Sequence, residues 1–431
     1  MKNVLRIMVL GMVPMLTFGQ QPKIYNLRPY DKEGINQFEP KKEESEFKGV
    51  KAKLGAGFTQ QFQALDHKND GSVELYRLDP GFGLAMANLY LDAQLADGIL
   101  LNLTTYLSSK HHQETWVKGG YLQIDKIPFE GQLWEDLSKI ITIKAGHFEV
   151  NYGDAHFRRN DGGHALYNPF GENYIMDAFA TEIAGEVYAQ KNGLLGMIGV
   201  SNGLISGGHQ ATLKPGSTTE TYKRSPSIYA KAGIDKNLNE VTRVRLTGSV
   251  YVNNNQGRNT MYAGDRTGSQ YFMAMAPAIT SGAASTPANN FATGRLNPNF
   301  ANQFAAFQLN GLFKYKGLEF FGTLETAKGK LHTETKKRKA NQYAADLIYR
   351  FGKDENLFVG ARINTVNGQF LTNNSAEQSS ARTSLAAGWF ILPNVLMKGE
   401  IMKQTYSDFP TGNVLSGGQF NGFVMEAVIG F

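Results

Sequence analysis

Cysteine is absent from all 431 residues, which excludes disulfide bridges, thiolate metal sites and a cysteine nucleophile. Long apolar runs are missing too. Beyond the first twenty residues no run reaches the eighteen or so apolar residues that a membrane-spanning helix needs. No glycine-flanked serine elbow accompanies the eight histidines, and the steps of nine and eight residues between His147, His156 and His164 match no zinc-binding pattern. The chain therefore offers no catalytic residue, no metal ligand set and no cofactor site to assign, and is read as no enzyme. A formal net charge of +6, spread along the chain, carries no signature of a nucleic-acid partner.

What is present begins with an export signal. Lys2 and Arg6 precede a ten-residue apolar run from Ile7 to Leu16, and small residues follow at Thr17 and Gly19. This arrangement predicts a signal peptide over residues 1–19, too short for a retained membrane helix. Residues 20–47 form a polar segment of mixed charge, expected either in the periplasm without fixed structure or reaching into a pore, with the periplasmic placement favoured. Residues 48–431 are rich in the types that make strands and turns, within a chain total of 47 glycines, 27 phenylalanines and 19 tyrosines.

Over 48–431 apolar residues recur at every second position, the period of a strand with one face on lipid and one on water. Phe423, Met425, Ala427, Ile429 and Phe431 share one face, whereas Val424, Glu426 and Val428 lie on the other. Val244, Leu246, Val250 and Val252 likewise oppose Arg243, Arg245, Thr247 and Ser249. Sixteen such segments follow one another from 48–64 to 419–431, among them 82–96, 226–235 and 340–351. Short turns at Asp97-Gly98, Lys316-Gly317 and Pro393-Asn394 alternate with long connections such as 151–176 and 256–300. Only the long turn 127–138 and the short connection 110–114 break that rhythm. The fold class expected is all-β: a transmembrane, antiparallel, up-and-down β-barrel of about 16 strands in a Gram-negative outer membrane, both termini periplasmic.

Two segments resemble known families. The last strand, ending at Phe431, is similar to the C-terminal signal of outer-membrane barrels, so Phe423, Met425, Ala427, Ile429 and Phe431 imply the barrel-assembly machinery as a partner. The run from Lys144 to Gly153, Lys-Ala-Gly-His-Phe-Glu-Val-Asn-Tyr-Gly, resembles a strand end of the phosphate-selective porins O and P, with Asn151 and Tyr152 in place of that family's proline and phenylalanine. The resemblance implies a trimeric, water-filled channel for passive diffusion of small polar solutes and ions, with some preference for anions such as phosphate.

Selectivity in such a channel is set by charges on the lumen wall and on loops folded into it. The inward register places eleven bases against nine acids, including Lys144, Arg243, Arg245, Arg350, Arg362 and Arg382. The loop from Asn151 to Met176 is the candidate constriction, in which Asp154, Arg158, Arg159, Asp161 and Glu172 are set to create a transverse field. Lys336, Lys337, Arg338 and Lys339 form a basic run expected in an external loop, where outer-membrane lipopolysaccharide phosphates are a possible contact. Ala274 to Asn290, low in complexity, is expected to be mobile. The competing readings are a plugged or substrate-specific transporter, with residues 20–47 as the plug, and, further off, a barrel enzyme.

Overall fold

A strand bordered by lipid on one side and polar matter on the other has one stable register, because a slip of one residue moves every side chain to the wrong face. The computed structural model describes residues 21–43, 46–107, 114–161, 163–203, 213–214, 217–255, 259–263, 268–373 and 376–431. Sixteen long strands form one closed antiparallel barrel: β1 Lys51–Lys68, β2 Met86–Ala96, β3 Ile99–Leu107, β4 Trp116–Ile124, β5 Ile141–Glu149, β6 Thr181–Lys191, β7 Leu194–Ser201, β8 Ser227–Asn239, β9 Thr242–Asn253, β10 Gln303–Tyr315, β11 Leu318–Lys330, β12 Arg338–Phe351, β13 Leu357–Gly368, β14 Gln378–Leu392, β15 Val395–Ser407 and β16 Gln419–Gly430. Each pairs with its neighbour in sequence, and β1 closes the ring on β16 from Gly57 opposite Gly430 to Lys68 opposite Gln419. Closure leaves no strand edge unpaired in the bilayer, where a free backbone group is costly.

The two faces separate as the alternation requires. On β9 Leu246, Val250 and Val252 are exposed on the outside, and Arg245, Thr247, Ser249 and Tyr251 are buried inside. On β16 Phe423, Met425 and Ile429 face outward with the terminal Phe431, while Val424, Glu426 and Val428 are buried. Short turns occupy one end of the barrel. The β6–β7 turn is Asn192-Gly193, with φ of 52° and 77°, the doubly left-handed pair that suits a tight hairpin.

Several local expectations are corrected. The strand expected over 82–96 begins at Met86, and Gly81–Phe82 is a separate two-residue strand lying on β1. β8 runs on to Asn239, four residues past the expected end. The long turn 127–138 contains a helix, α1 Gln132–Ser138, which at seven residues is too short to show a period in the sequence. Arg338 belongs to β12, not to an external loop tip: its guanidinium is buried against Glu334 at 2.7 Å. The basic run is thus reduced to Lys336, Lys337 and Lys339 as exposed charges. Residues 274–290 are packed in part. Ala274, Met275 and Ala276 are buried, Ile279–Thr280 pairs with Ala283–Ala284, and Pro277 bridges to Leu75.

Candidate functional site: the occupied lumen

A sixteen-stranded ring is wide enough to leave an aqueous passage, so what fills its lumen decides what the molecule does. Among the described residues three inserts enter it: a strap from Arg28 to Lys42, the β5–β6 connection and the β9–β10 connection. The favoured expectation that residues 20–47 lie free in the periplasm is overturned over the described part of the strap. A polar composition reads as solvated, but the inner wall of a barrel is polar too and satisfies the same groups.

The strap is fastened along its length. Tyr30 stacks flat on Tyr90, ring centroids 3.9 Å apart, and its hydroxyl donates to Asp92 at 3.0 Å. Asp31 caps the short helical turn Lys32–Gly34. Asn36 donates to Glu319 at 2.7 Å. Glu39, buried, receives Lys231 at 3.0 Å and Arg245 at 2.7 Å. Burial alone pushes that carboxyl up, but Lys231 and Arg245 outweigh it and hold it at about 2. Lys42 ends the strap on backbone carbonyls of Asp125, Ser138 and Ile141.

The β5–β6 connection carries all five residues expected at a constriction, and the structure places each inside the barrel. Asp154 is the hub: Arg245 meets it through two nitrogens at 2.8 Å, Lys231 at 3.0 Å and the Thr247 hydroxyl at 2.7 Å. Arg158 pairs with Glu319 at 2.7 Å, Arg159 with Asp177 at 2.5 Å and Asp161 with Lys118 at 2.5 Å. Glu172 pairs with Arg382 at 2.5 Å and accepts the Phe272 N–H at 2.8 Å, which ties this loop to the β9–β10 connection. Lys398 donates at 2.8 Å to the carbonyls of Ala165, Asn168 and Phe170. The five charges of this connection thus sit in short local pairs. Other wall charges pair with each other without an insert, as Lys398 does with Glu426 at 3.0 Å.

The six bases named from the inward register have different partners. Arg243 forms a two-pronged pair with Asp235 at 2.8 and 2.7 Å, Arg350 meets Glu319 at 3.2 Å, and Arg362 clasps Asp346 at 2.7 and 2.8 Å. Arg245 and Arg382 are the anchors described above. Lys144 sits between two rings, over Tyr121 at 4.1 Å and Phe148 at 4.2 Å.

Lys118 was missed by strict alternation. The β3–β4 register shifts between Thr104 and Thr105, and this bulge turns Lys118 inward beside Gly119. The Gly119-Gly120 pair is the sequence signal that marks such a site. Glu39, Asp177 and Ser269, which accepts from Arg159 at 2.6 Å, were missed because each lies on an insert without periodicity.

Burial pushes the Glu172 carboxyl up to about 7 against the pull of Arg382. A carboxyl whose ordinary value is 4.5 then takes up a proton on folding between those limits, so the seat of this loop is firmest below that window and loosens as pH rises through about 7. Ion conductance in a planar bilayer is expected to increase from about pH 5 to about pH 8, and Glu172→Gln to flatten the profile. A wild-type profile already flat over that range removes Glu172 from control of the loop.

Space remains on one side. A cavity of about 220 Å³ lies along the inner wall of β2 to β5, and a vestibule of about 930 Å³ opens at the short-turn end. Phe38 and Glu39 line both, which makes the strap the partition between them.

No family model matches the sequence, and no curated protein is similar to it in sequence. The fold is similar to that of an anion-selective porin from Comamonas acidovorans, with a TM-score of 0.53 at 10% identity over 89% of this chain and 100% of that one. It is also similar to the outer-membrane channel DcaP of Acinetobacter baumannii, with a TM-score of 0.50 at 9% identity over 89% of this chain and 98% of that one. At such identity the likeness is one of architecture: this chain is a closed, sixteen-stranded antiparallel barrel of the kind those channels share.

Proposed function

We propose that the protein is an outer-membrane channel of porin type, passing small polar solutes and ions by diffusion through a lumen narrowed by three inserts, with the strap as its periplasmic gate. The observation that carries this reading is the division of the barrel: an apolar exterior, a polar interior, and one side of the lumen left unfilled from the vestibule partition along β2 to β5. The predicted signal peptide over 1–19 and the outward aromatic end at Phe431 support export, delivery by the barrel-assembly machinery and residence among outer-membrane lipid and lipopolysaccharide. Assembly as a homotrimer belongs to the same proposal. A phosphate filter is not favoured, because the lumen charges form mixed pairs instead of a ring of one sign.

Planar-bilayer recording of the purified full chain tests it. Stable unitary conductance is expected, smaller than that of an unobstructed sixteen-stranded barrel. Persistent silence at every voltage and pH, from protein shown to be folded, would falsify the channel reading.

A further inference from the structure

The cavity beside β2 to β5 differs chemically from the rest of the lumen. Unlike the other cations described above, Lys144 has neither a carboxylate nor a carbonyl within bonding distance, although Glu186 and Glu149 lie close enough to act on its charge. Among the described residues Lys144 Nζ has no hydrogen-bond or ion-pair partner, only the rings of Tyr121 and Phe148 at 4.1 and 4.2 Å. Arg159 lines the same cavity, 5% exposed, with Nη2 on Asp177 and Nη1 buried without a partner. The other charges of the lining are engaged: Lys118 with Asp161, Arg28 with the carbonyls of Gly34 and Phe157 at 2.9 Å each, Glu149 with His156, and Glu39 with Lys231 and Arg245. Two cationic donors thus remain unsatisfied beside a largely aromatic wall. Lys144 Nζ is open to the cavity, whereas Arg159 Nη1 is buried, and leaving a buried donor without an acceptor is costly unless a ligand or water completes it.

We propose that this cavity binds one small anionic solute, a carboxylate on a flat apolar body, with Lys144 as its counter-ion, the rings of Tyr121 and Phe148 as its walls, and the strap residues Tyr30 and Phe38 closing it toward the vestibule. Size and lining set the class. A volume of about 220 Å³ equals about seven waters and falls below the ~300 Å³ at which drug-sized pockets begin, so one ring fits. An inorganic oxyanion would leave the aromatic faces against water, whereas a flat acid covers them and meets the amine together. The assignment rests on the reading of the barrel as a solute channel, and binding is measured apart from conduction so that the two fail separately.

Calorimetric titration of the full, folded chain in detergent with benzoate is the direct test. Saturable binding is expected, with affinity falling about tenfold or more in Lys144→Gln and retained within a few-fold in Lys144→Arg. Benzyl alcohol, the same ring without the charge, should bind at least about tenfold more weakly than benzoate. Heat-modifiable gel mobility and circular dichroism establish that each variant is folded, and Lys144→Arg carries the test should Lys144→Gln fail to fold. Equal benzoate affinity in wild type and folded Lys144→Gln overturns the site, as does complete loss of binding in folded Lys144→Arg. Equal affinity for benzoate and benzyl alcohol overturns the role of charge. Lys144-dependent binding of inorganic phosphate in place of benzoate overturns the ligand class. Benzoate binding by a protein silent in bilayers upholds the site and sinks the channel.

Discussion

Deletion of residues 20–47 behind an intact signal peptide is expected to raise unitary conductance several-fold while the barrel still assembles. The strap contributes no strand, and the seam between β1 and β16 starts at Gly57, beyond the deleted segment. What the strap does contribute is the partition: Phe38 and Glu39 stand between the cavity of about 220 Å³ and the vestibule of about 930 Å³, and their removal joins the two. The wall charges that it leaves are not stranded. Lys231 and Arg245 keep Asp154, and Glu319 keeps Arg158 and Arg350. Asp92 loses the Tyr30 hydroxyl but retains Asn102 at 2.7 Å, so the exposed wall is rehydrated without an isolated buried ion. Identical conductance in wild-type and strap-deleted channels would assign the barrier to the two loops instead. Loss of the folded, heat-modifiable form would show the strap to be part of the barrel's stability.

The strap also shows where the sequence stopped being informative. All sixteen strands and their order were legible, because period-two alternation is imposed by two different solvents and cannot be relaxed without exposing charge to lipid. Residues 20–47, the β5–β6 connection and the β9–β10 connection answer to no such period. Their contacts are long-range, as between Asn36 and Glu319 or Phe272 and Glu172, and nothing local in sequence marks them. Composition misled in both directions. Lys41, Lys42 and Glu43 look solvated although Lys42 reaches three backbone carbonyls inside the rim, and the small residues Ala274 and Ala276 look mobile although both are buried. One sign of the pairing was present in the sequence: nearly equal numbers of inward acids and bases suit a lumen whose charges are paired with one another.

Arg245→Ala is expected to cost about 3–5 kcal/mol, the usual penalty for breaking a buried pair from one side, and to unseat two inserts together. Its guanidinium binds Glu39 of the strap at 2.7 Å, Asp154 of the β5–β6 connection at 2.8 Å and Asp235 of the wall at 3.1 Å. The side chains of Glu39 and Asp154 are each 1% exposed, so after the substitution two buried carboxylates share the single ammonium of Lys231. Arg245→Lys keeps the charge but not the fork that reaches both carboxylates, and an intermediate loss is expected. Urea unfolding in lipid vesicles, followed by tryptophan fluorescence, measures the cost, and bilayer recording of the same variant should show larger and noisier openings. Joint control is tested by a double-mutant cycle. If strap and loop are latched by one side chain, Arg245→Ala combined with Glu39→Gln should destabilise by at least about 1 kcal/mol less than the two changes summed, because the second removes the charge that the first left uncompensated. Strict additivity would mean that Lys231 alone holds Glu39, and that the strap and the loop move independently.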